Sequence, residues 1–234
     1  MAIGRMSNFF VAIDGPAGSG KSSVSKAVAR LLGFGYLDTG AAYRALAWMV
    51  QNNDGLTPEV LASDPSQLKT FEANYRINTD AENYSVMFGS ENITDAIREP
   101  KIAEAVSLVA RVPEVREFML QLTRSLARDC QKPGIIVEGR DITTVVLADA
   151  QVRILLTAAE TVRLKRRSNE LGQISADAMA RQISERDASD AKVVDFMTPA
   201  FGVVLVDSSD LNFDQTVSAV LEVIEQQFKR ETND

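Results

Sequence analysis

Five apolar side chains follow one another at Phe9-Phe10-Val11-Ala12-Ile13, and the run stops at Asp14 and a glycine-rich turn. Continuous rather than alternating hydrophobicity predicts a strand covered on both faces, the habit of parallel sheets. From about Gly20 the period lengthens. Val24, Val28, Leu31 and Leu32 recur at helical spacing, with Gly33 and Gly35 as the stop. A short strand, Tyr36-Leu37-Asp38, follows, and Thr39 can cap a second helix running through Tyr43, Leu46 and Met49 to near Asp54-Gly55. Thr57-Pro58-Glu59 opens another, with proline where a first helical turn tolerates it.

The texture changes between Gln67 and Arg98. There Tyr75-Arg76-Ile77-Asn78 and Tyr84-Ser85-Val86-Met87-Phe88-Gly89 alternate around a polar turn, the signature of a hairpin. Helical patterns at Lys101 to Ala110 and Pro113 to Asp129 come next, and then the apolar strands Ile135 to Glu138, Val152 to Leu156 and Val203 to Asp207. A charged helical stretch, Glu160 to Lys192, lies between the last two, and an amphipathic helix, Phe213 to Phe228, closes the chain. Strands alternating with helices predict an α/β fold, a parallel sheet of about five strands flanked by helices. Its core takes residues 7–66 and 130–234, and residues 67–129 form a small β-containing insert with supporting helices. No internal repeat or low-complexity tract interrupts this order.

Composition narrows the chemistry. The 234 residues, 45% hydrophobic, suffice for one domain carrying a smaller insert. A net charge of −7 and a pI near 4.8 argue against a broad basic face for polymeric nucleic acid, so a phosphorylated ligand must meet locally clustered arginines. Histidine is absent, which removes histidine triads, histidine bases and most catalytic zinc arrangements. Cys130, the one cysteine, has no internal disulfide partner. No apolar run nears the roughly eighteen residues of a membrane span, and no signal peptide is evident, so a cytoplasmic monomer is expected. Met1 to Arg5 show no pattern and carry no weight in the fold.

The turn after the first strand reads Gly15-Pro16-Ala17-Gly18-Ser19-Gly20-Lys21-Ser22, with Ser23 next, and fits G-x-x-x-x-G-K-[ST] between a strand and a helix. Glycines let the backbone curl so that its amides face phosphate oxygens and the helix start adds its dipole. Lys21 reaches the β and γ phosphates, and Ser22 can ligate Mg²⁺. The loop implies a nucleoside triphosphate and Mg²⁺, does not by itself separate kinases from switch GTPases or motor ATPases, and leaves the phosphate acceptor open.

Four further segments bear on the acceptor: Leu37-Asp38-Thr39-Gly40-Ala41-Ala42-Tyr43-Arg44, Ala105-Val106-Ser107 with Val115-Arg116, Glu138-Gly139-Arg140-Asp141, and Glu185-Arg186-Asp187 with Asp190. Together with the phosphate loop they closely resemble the bacterial cytidylate kinases, from about Asn8 to the last helix. The resemblance implies a phosphate-loop kinase sheet, an enlarged monophosphate-binding insert, and a helical lid at about 158–192. It implies transfer of the γ-phosphate of ATP to CMP or dCMP, with Lys21, Arg44 and Arg140 as the catalytic cations. Thr39, Arg116 and Asp141 then face the cytosine, Arg44 and Arg140 hold the acceptor phosphate, and Ser107, Arg186 and Asp190 lie near the ribose.

Several of these residues also have plainer readings. Thr39 serves as a helix cap, Tyr43 as a core aromatic, and Arg163, Arg166 and Arg167 either as lid residues over ATP or as a solvated face paired with Glu160 and Glu170. Glu138 either orients water on Mg²⁺ or satisfies buried amides. Two positions depart from the family pattern: Val193 replaces an expected lid arginine, with only Lys192 beside it, and Thr143 stands where glycine is common. The alternatives are a related kinase for UMP, AMP or another small metabolite, and a nucleotide-dependent regulatory switch.

Overall fold

The structure, a computed structural model, describes residues 9–171 and 196–231. The chain falls into two compact units, one comprising residues up to Leu37 and from Gln131 onward, the other Asp38–Cys130. Strands β1 (Phe9–Asp14) and β2 (Gly35–Asp38) flank helix α1 (Lys21–Leu32). The second unit holds helices α2 (Thr39–Gln51), α3 (Pro58–Ser63) and α4 (Ser66–Asn74), strands β3 (Tyr75–Asn78), β4 (Ser85–Phe88) and β5 (Glu91–Asn92), a 3₁₀ turn at Ala96–Arg98, and helices α5 (Pro100–Val109) and α6 (Pro113–Arg128). The first unit then continues with β6 (Gly134–Gly139), a π-helical turn at Ile142–Val146, β7 (Val152–Thr157), α7 (Glu160–Leu171), β8 (Val204–Asp207) and α8 (Phe213–Glu231).

The first unit is built on a five-stranded parallel sheet in the order β2-β6-β1-β7-β8. Its central strands are the continuous apolar runs of the sequence, and Val11, Ile13, Ile136, Val137, Ile154 and Leu156 are fully buried. This is the burial that parallel strands covered on both faces require. β1 and β6 run in register from Phe9↔Gly134 to Asp14↔Gly139, while Asp14 opposes Leu155 of β7. The turns that leave β1 and β6 therefore start side by side. From β1 the next core strand is β2 at one edge of the sheet, and from β7 it is β8 at the other. Divergence of this kind at the carboxyl ends of parallel strands is where ligands gather. β8 is an edge strand and leaves Val204 and Leu205 about half exposed.

The second unit contains the expected hairpin, with Tyr75↔Phe88 through Asn78↔Ser85 in antiparallel register and β5 added to its outer edge. Phe71 stacks on Tyr75 at 5.0 Å between centroids and meets Phe118 edge-on at 6.1 Å, tying α4 and α6 to the hairpin. α4 was not legible as a separate helix, although Leu68 and Phe71 are buried at helical spacing. At the start of α2 the structure corrects the sequence reading. The cap is Asp38, whose side chain accepts from the Ala41 amide at 3.1 Å, and Thr39 is the first helical residue. Asp38 has the extended backbone of a cap residue, and a carboxylate at that position is favoured by the helix dipole. No helix among the described residues is long and apolar enough to cross a membrane.

Candidate active site

The turn between β1 and α1 is a tight one. Gly18 and Gly20 hold positive φ of 75° and 88°, a region glycine enters without steric penalty. A methyl group on Gly15 would lie 2.1 Å from the Leu156 carbonyl oxygen, and one on Gly18 would lie 2.7 Å from that of Arg163. The loop thus packs backbone to backbone on β7 and on the first turn of α7. Gly20 caps α1 with no side chain to accept from the first-turn amides, and that turn carries no acidic residue. An anion at this helix start meets no competing carboxylate on α1, so the residues fit a nucleotide phosphate chain. The Lys21 ammonium donates to the Pro16 carbonyl at 3.4 Å, and Ser22 is half-buried beside it.

Arginines take three more of the loop's carbonyls. Arg163 is buried and donates through Nη1 to Ala17 O at 2.9 Å. Arg166 donates to Ser19 O at 3.2 Å, to Ser208 Oγ at 2.9 Å, and to the carbonyls of Ser208 and Leu211 at 2.8 and 3.1 Å. Neither forms a solvated helix face: they bind α7 and the turn between β8 and α8 to the phosphate loop. The side chain of Arg167 lies outside the described residues, as do Arg186, Asp190, Lys192 and Val193.

Arg140 follows β6 and donates through Nη1 to Gly15 O at 3.1 Å, its guanidinium 4.3 Å from the Phe196 ring centroid. Asp141 precedes the π-helical turn and accepts through its backbone carbonyl from the Val145 and Val146 amides. The same turn is anchored to β1. Asp14 is buried, and its carboxylate accepts from the Ile142 amide at 2.9 Å, the Thr143 amide at 2.8 Å and the Thr143 hydroxyl at 2.6 Å. Burial raises the Asp14 carboxyl above its ordinary range against the pull of these hydrogen bonds, and the charge of Asp141 adds to the rise. Glu138 at the end of β6 is buried, and its Oε1 accepts from the Tyr36 hydroxyl at 2.5 Å.

In the second unit, Thr39 and Arg44 share α2. Arg44 reaches back to Asp38 at 2.7 Å, and Arg98 approaches the same oxygen at 3.6 Å. The carboxylate that caps the helix therefore also orients Arg44. Tyr43 packs against the core of this unit, in line with the plain reading of it. Ser107 on α5 and Arg116 on α6 are half-buried. The residues that sequence reasoning missed are Asp14, Asp38, and Arg163 and Arg166 in their bracing role. Only Asp38 carried a local signal, an Asx residue at a helix start.

A family model described as cytidylate kinase matches residues 11–226. The chain belongs to the cytidylate kinase family. It is 41% identical over 215 residues to the cytidylate kinase of Cutibacterium acnes, covering 92% of this chain and 95% of that one. The cytidylate kinase of Streptomyces avermitilis is 40% identical over 220 residues, covering 92% of each. Among solved structures, an uncharacterized protein from Eubacterium ventriosum superposes with a TM-score of 0.50 at 11% identity over 93% of this chain and 98% of that chain, a likeness of fold alone. Membership in this family makes the chain a kinase with ATP as co-substrate.

Proposed function

We propose that this chain transfers the γ-phosphate of ATP to CMP or dCMP, giving ADP and the corresponding diphosphate. The observation that carries this reading is the phosphate cradle at 15–22 with Arg140 held against its first residue, in a member of the cytidylate kinase family. An oxygen of the acceptor phosphate attacks the γ phosphorus, the bond to the β–γ bridging oxygen breaks, and ADP leaves with that electron pair. The acceptor is already an anion near neutral pH, so no strong base is needed, which suits a chain without histidine. Catalysis then consists of alignment and neutralisation. The loop amides between Gly15 and Ser23, other than at Pro16, and Lys21 hold the β and γ phosphates, while Arg44 and Arg140 hold the acceptor phosphate. Mg²⁺, when bound with ATP through the Ser22 hydroxyl, supplies further charge neutralisation along the phosphate chain.

Thr39, Arg116 and Asp141 read the cytosine. A carboxylate accepts from the exocyclic amino group, and an arginine donates to the ring nitrogen and carbonyl. Uracil reverses the pattern at that edge, and mismatched buried polar groups cost on the order of 1–3 kcal/mol each. Ser107, Arg186 and Asp190 serve the ribose, residues 67–129 form the monophosphate-binding insert, and residues at about 158–192 form the lid. A coupled ADP-release assay across CMP, dCMP, UMP and AMP tests the reading: the two cytidylates are the best acceptors, Lys21→Ala nearly abolishes turnover, and Asp141→Ala raises the KM for CMP far more than that for ATP. Preference for UMP or AMP, or equal losses for both substrates in Asp141→Ala, would refute it.

A further inference from the structure

Thr143 is where this chain departs from the glycine common after Gly-Arg-Asp, and the structure gives its side chain a specific partner. Asp14, at the end of β1, is only 2% exposed, and the three hydrogen bonds it accepts among the described residues all come from Ile142 and Thr143. Arg140 donates in the reverse direction to Gly15 O. Four hydrogen bonds thus join the turn leaving β1, which is the phosphate loop, to the turn leaving β6, which carries Arg140 and Asp141. Two of them use backbone amides that a residue of almost any type supplies. The Thr143 hydroxyl bond depends on residue type, and at 2.6 Å it is the shortest of the four. A glycine at 143 would leave the buried carboxylate with two donors instead of three.

The phosphate loop is also held by Arg163 on Ala17 O, by Arg166 on Ser19 O, and by the packing of Gly15 on Leu156 and Gly18 on Arg163. The second turn is closed by its own backbone bonds, from Val145 and Val146 to Asp141 O and from Leu147 to Ile142 O, with a long contact of 3.4 Å from Arg153 to Thr143 O. Asp14 and Arg140 tie it to the end of β1 and to Gly15. If the Asp14 contact loosens, the turn bearing Arg140 and Asp141 loses a direct tie to β1, while the loop keeps its own braces from Arg163 and Arg166. We propose that Thr143 is a positioning residue for the phosphate acceptor: through its hydroxyl on Asp14 it fixes Arg140 and Asp141 relative to the phosphate loop. This rests on the reading that those two residues serve the acceptor.

The test compares Thr143→Val, which keeps the shape and removes the hydroxyl, with Thr143→Ser, which keeps the hydroxyl. The KM values for CMP and for ATP are measured separately, with thermal melts to confirm folding. Loss of one hydrogen bond to a charged group predicts a rise of about tenfold in the KM for CMP in Thr143→Val, with that for ATP changed by less than about twofold. Thr143→Ser stays near the parent on both. If Thr143→Val does not fold, Thr143→Ala, with no methyl to press on the carboxylate, takes its place with the same expectation. The proposal is overturned by equal rises for both substrates, by a fall in kcat alone, or by Thr143→Ser behaving like Thr143→Val, which would make the methyl group the active feature. Failure of the functional reading shows separately, as an unsubstituted protein that prefers another monophosphate. The same split measured with that acceptor still decides the role of Thr143.

Discussion

Replacing Gly15 by alanine probes how closely the phosphate loop is set against β7. The added methyl would sit 2.1 Å from the Leu156 carbonyl oxygen, 3.1 Å from its carbon and 3.2 Å from Ser19 Oγ. Real Cβ atoms essentially never come closer than 3.0 Å to another heavy atom, so one backbone must retreat by about 1 Å. Leu156 is poorly placed to do so, since it is fully buried in β7 and pairs in register with Val206. The loop is therefore the part that moves. Overpacking of this kind costs roughly 1–3 kcal/mol of stability, and a 1 Å displacement of a positioned group costs about a hundredfold in rate. The control is Gly33→Ala at the end of α1, where φ is +67° and nothing lies within 4 Å of the new methyl. Only backbone strain acts there, about 1–2 kcal/mol. Coupled ADP-release kinetics with CMP, run at temperatures where both variants are folded, should show kcat/KM for ATP down about a hundredfold in Gly15→Ala and unchanged in Gly33→Ala. Equal kcat/KM in the two folded variants would refute the claim that contact with β7 sets the loop.

Arg166→Met keeps an unbranched apolar stem of similar length but removes the donors to Ser19 O, Ser208 Oγ, Ser208 O and Leu211 O. The KM for ATP should rise by about tenfold and that for CMP by much less; a lower melting temperature with an unchanged KM for ATP would make the brace purely structural. The pH dependence of stability has a definite sign at Asp14. Its carboxyl is raised above 3.8 in the fold, so the folded state holds this proton more tightly than the unfolded state. The stability contributed by the neutral carboxyl is fully present below pH 3.8 and is lost as pH rises through the raised native value. Asp14→Asn cannot titrate, so its melting temperature minus that of the parent should grow in favour of asparagine as pH rises from 3.8 through that window. A constant difference would contradict the assignment.

The parts of the fold that could be read from sequence were those decided by near neighbours. β1, β6 and β7 announce themselves as unbroken apolar runs, the hairpin Tyr75–Asn78 with Ser85–Phe88 as alternation, and the phosphate loop as glycines at fixed offsets before Lys21. Where two adjacent residues could do the same task the reading slipped by one. Asp38 and Thr39 are both good caps, and the choice went to Asp38, whose carboxylate also holds Arg44 at 2.7 Å across a turn and a half of helix. What stayed hidden depends on residues far apart in the chain. Asp14 meets Thr143 across 129 positions, and Arg163 meets Ala17 across 146. No local period encodes such a pairing, so the arginines of α7 were equally compatible with a solvated face. Thr143 stood out in the sequence only as a departure from a pattern, and its partner became visible once β1 and β6 were laid in register.

The acidic balance of the chain makes a polyphosphate site at the end of β1 an electrostatic problem, and the loop's carbonyls suggest how it is met. The carbonyl oxygens of residues 15, 17 and 19 each accept from a guanidinium, those of Arg140, Arg163 and Arg166 respectively, and that of Pro16 accepts from Lys21. A peptide whose carbonyl is held by a cation is polarised along its length, which makes the amide it shares with the next residue a stronger donor. Those amides belong to Pro16, Ala17, Gly18 and Gly20; proline has no N–H, so the gain falls on the other three. Gly18 and Gly20 are the glycines whose positive φ gives the loop its curl. The arginines thus do more than brace the backbone: they keep positive charge within a few ångströms of the phosphate cradle in a protein of net charge −7. Charge this close to the ligand acts over less than the roughly 8 Å screening length of physiological salt, whereas charges farther off are screened. Local potential and net charge can therefore differ in sign, and an acidic chain can hold a triphosphate.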